Sequence, residues 1–402
     1  MERPSAAPGQ PAPLGPATAD LSPSALLAQA AESVGHDDWG DQGFVEPLGL
    51  LLEGCRATGQ LNEMGSRVLR SVVLRHLRNR LYVQAYLDRR PEAAGRHLER
   101  PLVVTGLPRT GTSLLHNLLA QDPQHRFLRL WEALHPVPPE DADGPDEATL
   151  VQQAETWLQR FYAMAPDFQA IHPLTARGPE ECDALLQNAF ASLHFDDMFD
   201  AEAYSRWFHS ATLEREYAYY ALQLRVLSPD PAATRRWLLK SPGHLGHLDA
   251  LLKALPGAVI LHCHRDPARA VASYASLITT VRRPNSHEVS PAAVGEQALH
   301  RCANALDRAL RARTAAGEQH FVDVSFPGLV ADPVGTVRGI YERLDAQLDE
   351  QVAAAMGRWV ADHPADRHGK HRYDGECFAL PAQRVREAFA AYRERFAPYL
   401  GA

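Results

Sequence analysis

The chain has 402 residues, room for one large α/β domain or two smaller ones, and 45% of them are hydrophobic, ample for a core. A net charge of −8 gives no bulk attraction to nucleic acid or to an anionic membrane, so any anion site has to be local. Five scattered cysteines (Cys55, Cys182, Cys263, Cys302 and Cys377) have no paired spacing, which argues against a disulfide framework or a zinc site and suits a reduced, cytoplasmic enzyme.

In chain order, residues 1–20 are rich in proline and alanine, lack the apolar stretch of a signal peptide and read as a disordered tail. No apolar run approaches the ~20 residues that an integral membrane segment needs. A serine cap and a proline at Ser22-Pro23 predict the first helix, followed by helices over 46–58 and from Glu63 to about Arg89. The last carries Val68, Val72, Leu77 and Leu81 on its inner side, and its arginines (Arg67, Arg70, Arg75, Arg78 and Arg80) read as a solvated face. Residues 21–100 are thus expected to form a helical cap on a domain spanning 101–402.

From Pro101 the pattern changes. Leu102, Val103, Val104 and Thr105 predict a buried parallel strand, and Leu114, Leu115, Leu118 and Leu119 line a helix. Between them lies Gly-Leu-Pro-Arg-Thr-Gly-Thr-Ser, residues 106–113, a turn that aims backbone N–H groups and a helix N-terminus at an anion. Its two glycines have the spacing of a phosphate loop, but Thr112-Ser113 stands where a nucleotide triphosphatase has Lys-Ser/Thr, and the loop's cation is Arg109. A helix cap alone would not call for Arg109 among so many donors. Helices are predicted over 146–164, 178–200 and 211–227, with Glu180, Glu181 and Asp183 at a helix start where capping accounts for them. Two further strands, around 237–239 and 258–263, also run into turns and helices, and 320–326 is another strand candidate. This alternation predicts an α/β fold, a doubly wound parallel sheet flanked by helices, with ligand loops at the carboxyl ends of the strands.

The second turn places Lys240 directly after a strand, where it can neutralise charge developing on a leaving group, with Ser241 beside it. His244 suits either a general base or simply a helix start. The third turn carries Arg265, a planar fork for a phosphate, and Ser273 about two helical turns on. Each alone reads as ordinary turn chemistry; three in succession, each after a strand, do not.

These residues resemble the sulfotransferases that use 3′-phosphoadenosine 5′-phosphosulfate (PAPS), closest to the bacterial, largely actinobacterial branch with a Gly-x-Pro-Arg-[Ser/Thr]-Gly-Thr-[Ser/Thr] loop. The resemblance runs from about residue 100 to 350, and more loosely to Gly-Lys-His-Arg-Tyr at 369–373. It implies a phosphate-loop-type fold in which Arg109, Thr110, Gly111, Thr112 and Ser113 bind the donor's 5′-phosphosulfate. Arg265 and Ser273 match the family's Arg-x7-Ser pair for the 3′-phosphate, and Lys240 would stabilise the bridging oxygen. Cytosolic relatives place a catalytic histidine two positions after the lysine; here that position is Pro242, so the role does not pass cleanly to His244.

Sulfuryl transfer needs an in-line acceptor oxygen and a stabilised leaving phosphate, and an alcohol acceptor needs a base within reach. Glu132, 23 residues after Arg109 and beside Trp131, is the leading candidate; aromatic and apolar neighbours would raise its pKa, and tyrosylprotein and heparan-type relatives place a glutamate comparably. Its plainer reading is a surface glutamate. Lys370 and Arg372 suit a basic loop over the donor's phosphates, and His363, His368 and His371 complete no metal-ligand spacing, so no metal is expected. The acceptor region is placed at about 130–230, where Phe161, Phe168, Phe190, Phe195, Trp207 and Phe208 are either core or the lining for a fairly apolar small-molecule hydroxyl compound. The expected product of the donor is adenosine 3′,5′-bisphosphate. A homodimer stays open, as do two other readings: a small-molecule kinase and a non-catalytic binding protein of the same fold.

Overall fold

The apolar run after Pro101 forms the central strand of a parallel sheet. The computed structural model describes residues 20–139, 145–165, 173–228, 235–364 and 376–401. It contains strands β1 (Leu102–Gly106), β2 (His125–Phe127), β3 (Arg236–Lys240), β4 (Val259–His264) and β5 (Phe321–Ser325), in the order β2-β3-β1-β4-β5. Every pairing is parallel, with Val104 opposite both Lys240 and Leu261. This is the doubly wound sheet the sequence predicts. The chain runs from β1 to one side of it and returns with β4 on the other, so the loops after β1, β3 and β4 sit at the position where such sheets bind ligands.

The chain divides into two compact units, the first made of Met1–His97, Leu128–Ala233 and Thr280–Val289. The second consists of Leu98–Phe127, Thr234–Thr279 and Ser290–Ala402 and contains the whole sheet. Its core joins Leu102 and Val104 of β1 to Leu115, Leu118 and Leu119 of the helix Thr112–Leu119, with Leu261, Val324, Leu329 and Ile340 around them. At roughly 1.5–3 kcal/mol per buried aliphatic side chain, this packing holds the strand ends in place. β2 carries one apolar residue in three, and no periodicity announces so short an edge strand.

The first unit is helical. Ser22 caps Pro23–Val34 by accepting the Ala25 N–H at 3.4 Å, and Val45–Ala57 and Glu63–Arg89 follow near their predicted positions. The long helix differs in its faces: Val68 and Val72 are half-buried, while Leu69, Val73, Leu74, Leu77 and Leu81 are buried. Its arginines are not uniformly solvated either: Arg67, Arg70, Arg75 and Arg78 are half-buried, and Arg80 departs from the expectation outright. Arg80 is buried, with its guanidinium 4.2 Å from the Phe44 ring centroid and 4.0 Å from that of Tyr219 while it donates to the Trp39 and Asp41 carbonyls. Cation–ring and carbonyl contacts there replace the water that the charge gives up.

In place of one helix over 178–200 there are two short ones, Asp183–Gln187 and Leu193–Met198, separated by Phe190 at φ 55°. Asn188 in that break is fully buried. It pairs with His76 Nδ1 at 2.8 Å, receives Asn79 at 3.3 Å and donates to Gln223 Oε1 at 2.7 Å, joining segments distant in sequence through a satisfied polar network. The predicted 211–227 helix is found as Glu214–Leu227, and a further helix that the sequence pattern did not indicate, Glu202–Ser210, precedes it. Phe190 stacks on Phe44 and Phe195, Phe208 stacks on Tyr204, and Phe195 meets Tyr204 edge-on in this unit's core. Those rings are packing; Phe161 and Trp207 stay half-buried, and Phe168 lies outside the described residues.

Candidate active site

The 106–113 turn is built by two glycines and one strained residue. A Cβ on Gly106 would lie 2.5 Å from the Cys263 carbonyl oxygen, and one on Gly111 (φ 88°) would lie 2.7 Å from the Phe326 ring. Both positions therefore exclude side chains. Arg109 itself adopts φ 70°, a left-handed conformation that costs on the order of 1 kcal/mol or more for a residue with a Cβ. Thr110 Oγ1 donates to the Leu107 carbonyl at 2.7 Å, and Gly111 leads into Thr112–Leu119, whose N-terminus carries Thr112 and Ser113. Thr110 and Thr112 are buried and Ser113 is half-buried.

The three strand-end turns come together at this loop. Arg109 Nε donates to Ser273 Oγ at 3.3 Å, and Arg265 Nη1 donates to the Arg109 carbonyl at 2.7 Å, with its guanidinium 4.4 Å from the Phe326 ring centroid. Lys240, at the end of β3, is 1% exposed and reaches Ser113 Oγ with Nζ at 3.3 Å. The second turn is tied to the first as well: Thr105 Oγ1 donates to the Ser241 carbonyl at 2.8 Å, and the Ser241 N–H reaches the Val104 carbonyl at 3.3 Å. Three cationic side chains and three hydroxyls from separate segments thus meet beside a helix N-terminus. Such a group can hold an extended polyanion at more than one point.

His244 belongs to the same unit as Lys240. The turn after Lys240 winds directly into a 3-10 helix, Pro242–His247, so His244 is inside a helix rather than at its start, and it is fully buried. Lys370 and Arg372 fall outside the described residues. Among the described residues one grouping has metal-ligand proximity: His262, His264 and Asp323, with donor atoms within 4.8 Å of one another. Arg313 engages both Asp323 oxygens, at 2.6 and 2.8 Å, and holds that carboxylate far below the usual range together with His264. A cation would have to displace or adjoin that guanidinium, so the grouping is an ion-paired network.

Glu132 belongs to the first unit, in the short helix Leu130–Leu134. It is 2% exposed, not a surface glutamate. One carboxylate oxygen accepts the Arg129 N–H at 2.9 Å and the other accepts Arg129 Nη2 at 2.9 Å. The guanidinium of Arg129 stacks over Trp131 at 4.7 Å. The sequence suggests aromatic surroundings that disfavour charge; the structure adds a cation that favours it. Glu180 and Glu181, expected at a helix start, precede the helix that begins at Asp183; this stretch pairs with the chain before Glu132 instead, Arg129 bridging Pro179 and the Glu180 N–H donating to the Leu128 carbonyl at 2.8 Å.

His135, three residues on, gives a test of this region. It is 2% exposed, and among the described residues its Nε2 has no hydrogen-bond partner. Burial, with Arg75 adding, pushes its pKa down to about 4. The folded chain therefore keeps it neutral where the unfolded chain, with a histidine pKa near 6.5, takes up a proton, and stability is lost as pH falls below that value. Relative to His135→Gln, the wild-type protein should lose about 2 kcal/mol between pH 7 and pH 5. Parallel pH profiles in denaturant unfolding would mean that His135 protonates in place.

Comparison with known proteins fits this arrangement. Residues 101–350, more than half of the chain, match the sulfotransferase family. The chain belongs to the sulfotransferase family. It is similar to the crystal structure of sulfotransferase STF1 from Mycobacterium tuberculosis H37Rv, with 29% identity, a TM-score of 0.76, and 92% of this chain and 98% of that one covered. It is also similar to sulfotransferase STF9 from Mycobacterium avium, with 27% identity, a TM-score of 0.84 and coverage of 94% and 97%. No curated protein matches at a significant level. The matched region of this sulfotransferase holds all five strands, Arg109, Glu132, Lys240, Arg265 and Ser273, and stops short of the last helices. Among the described residues no helix is long and apolar enough to cross a membrane.

Proposed function

We propose that this sulfotransferase moves the sulfuryl group of PAPS to a hydroxyl of a small molecule. The observation that carries the reading is the convergence of three strand-end turns, through Arg109–Ser273, Arg265–Arg109 and Lys240–Ser113. An ordinary triphosphate site needs one phosphate cradle; here Arg265 and Ser273 both touch Arg109 of the first loop, which suits a donor phosphorylated at both ends of its ribose. PAPS would supply the activated sulfuryl group. The chain's own residues would bind and polarise: backbone N–H groups of the 106–113 loop, with Thr110, Thr112 and Ser113, hold the 5′ side, and Arg265 with Ser273 holds the 3′-phosphate. Lys240 would take up charge on the departing phosphate oxygen. Glu132 would accept the acceptor hydroxyl's proton, with His244 second. An apolar acceptor rests on Phe161 and Trp207, since the other described aromatic side chains considered for it are core.

The direct test is calorimetric titration with adenosine 3′,5′-bisphosphate beside magnesium-ATP. The reading requires binding of the bisphosphate and none of comparable strength for ATP. Preference for magnesium-ATP would hand the loop to a kinase. No heat with either would leave a binding protein built on the same fold.

A further inference from the structure

Both residues flanking Arg265 are tied to the last helices of the chain, beyond the region that defines the family. His264, on the amino side, has a fully buried ring. Its Nε2–H donates to Asp323 Oδ1 at 2.8 Å, which leaves Nδ1 to accept the Tyr392 hydroxyl at 2.7 Å. Phe396 stacks on the same imidazole at 4.2 Å, and Ser325 Oγ donates to the Tyr399 carbonyl at 2.9 Å. On the carboxyl side, Asp266 accepts Arg393 Nη1 at 2.6 Å. Tyr392 and Arg393 are neighbours in the helix Ala390–Arg395, so one short element grips the turn on both sides of its arginine.

We infer that Tyr392 and Arg393 are positioning residues for Arg265, and through it for recognition of the donor's 3′-phosphate. This rests on the proposed assignment of Arg265 to that phosphate. A bidentate fork is useful only within a few tenths of an ångström and some degrees of its anion, so a turn of this kind needs outside support. The Arg393–Asp266 pair is 38% and 34% exposed. Pairs so exposed add little to stability, so removing this one changes where the turn sits rather than whether the chain folds. Neither Tyr392 nor Arg393 needs to touch the nucleotide.

The experiment compares Kd for adenosine 3′,5′-bisphosphate and adenosine 5′-phosphate in the wild-type protein and in Tyr392→Phe, Arg393→Ala, Arg393→Lys and Arg265→Ala, with Tm measured for each. Tyr392→Phe and Arg393→Ala should each weaken the bisphosphate roughly three- to tenfold, a fraction of what a charge-assisted contact contributes, and leave the monophosphate unchanged. Arg393→Lys should bind nearly as wild type does. Adding Asp266→Ala to Arg393→Ala should cost nothing more, because the two act as a unit. If Arg265→Ala separates the two nucleotides and the helix variants do not, the positioning role is wrong and the donor site stands. If Arg265→Ala weakens both equally, the 3′-phosphate assignment falls and the positioning role falls with it. Parallel loss of both nucleotides and of Tm in the helix variants would reduce Tyr392 and Arg393 to general packing.

Discussion

Glu132→Gln is expected to lower kcat by about 10²–10⁴-fold, the scale of a lost general base, while Tm and affinity for adenosine 3′,5′-bisphosphate stay near wild type. The choice of glutamine matters because Glu132 has a structural role in its own helix. Its carboxylate accepts the Arg129 N–H at 2.9 Å, and an amide oxygen can accept the same proton, so the helix start survives the change. The Arg129 side chain loses one ion-pair partner, but it keeps Glu147 at 3.7 Å and is 30% exposed, so Glu147 and water cover most of that loss. What glutamine cannot do is take a proton from an alcohol. Glu132→Ala is a poorer test, since it removes the cap along with the base and so mixes two effects. A Gln variant that keeps kcat within tenfold of wild type would make Glu132 a capping residue only, and the base would have to be sought at His244 or elsewhere.

The sheet and the 106–113 loop are legible because their signals are local. An apolar run, a glycine-bearing turn with Arg109 and a leucine-faced helix sit within 23 residues, and the same strand–turn–helix grammar repeats at Lys240 and Arg265. Spacing also places Ser273 about two helical turns beyond Arg265. What spacing could not give was the contact of Arg109 with Ser273, which joins residues 164 positions apart. The misread features fail for related reasons. β2 is too short to show a period, and Arg80 belongs to the core only because Phe44 and Tyr219 supply two ring faces from other segments. The break at 188–191 follows from Asn188 being claimed by His76 and Gln223, a tertiary demand that overrides helix propensity. Nothing in the sequence around Tyr392 and Arg393 distinguishes them from a surface helix; only the fold brings them to His264 and Asp266. Glu132 shows the same limit at the site: its pairing with Arg129 follows the i,i+3 rule, but the burial of the carboxylate does not show in the sequence.

Lys240→Met should cost about 10²–10³-fold in kcat, with kcat/KM falling in step, because the interaction removed strengthens only as the donor's bridging oxygen gains charge. Methionine keeps the length and apolar stem of a residue that is 1% exposed at the end of β3, so the strand and its register with Val104 should be undisturbed. The charge argument makes a second demand. The oxygen carries partial charge in bound PAPS and full charge in adenosine 3′,5′-bisphosphate, so Lys240→Met should weaken the product more than the substrate. A lysine serving only general electrostatic attraction would weaken both alike. Lys240→Arg should not restore the rate, since a planar fork needs more room than an ammonium that reaches Ser113 Oγ at 3.3 Å from a buried strand end. If Lys240→Met retains more than a tenth of wild-type kcat, the developing charge is carried instead by Arg109 and the N-terminus of Thr112–Leu119, and Lys240 reverts to the strand-end lysine that its sequence context also allows.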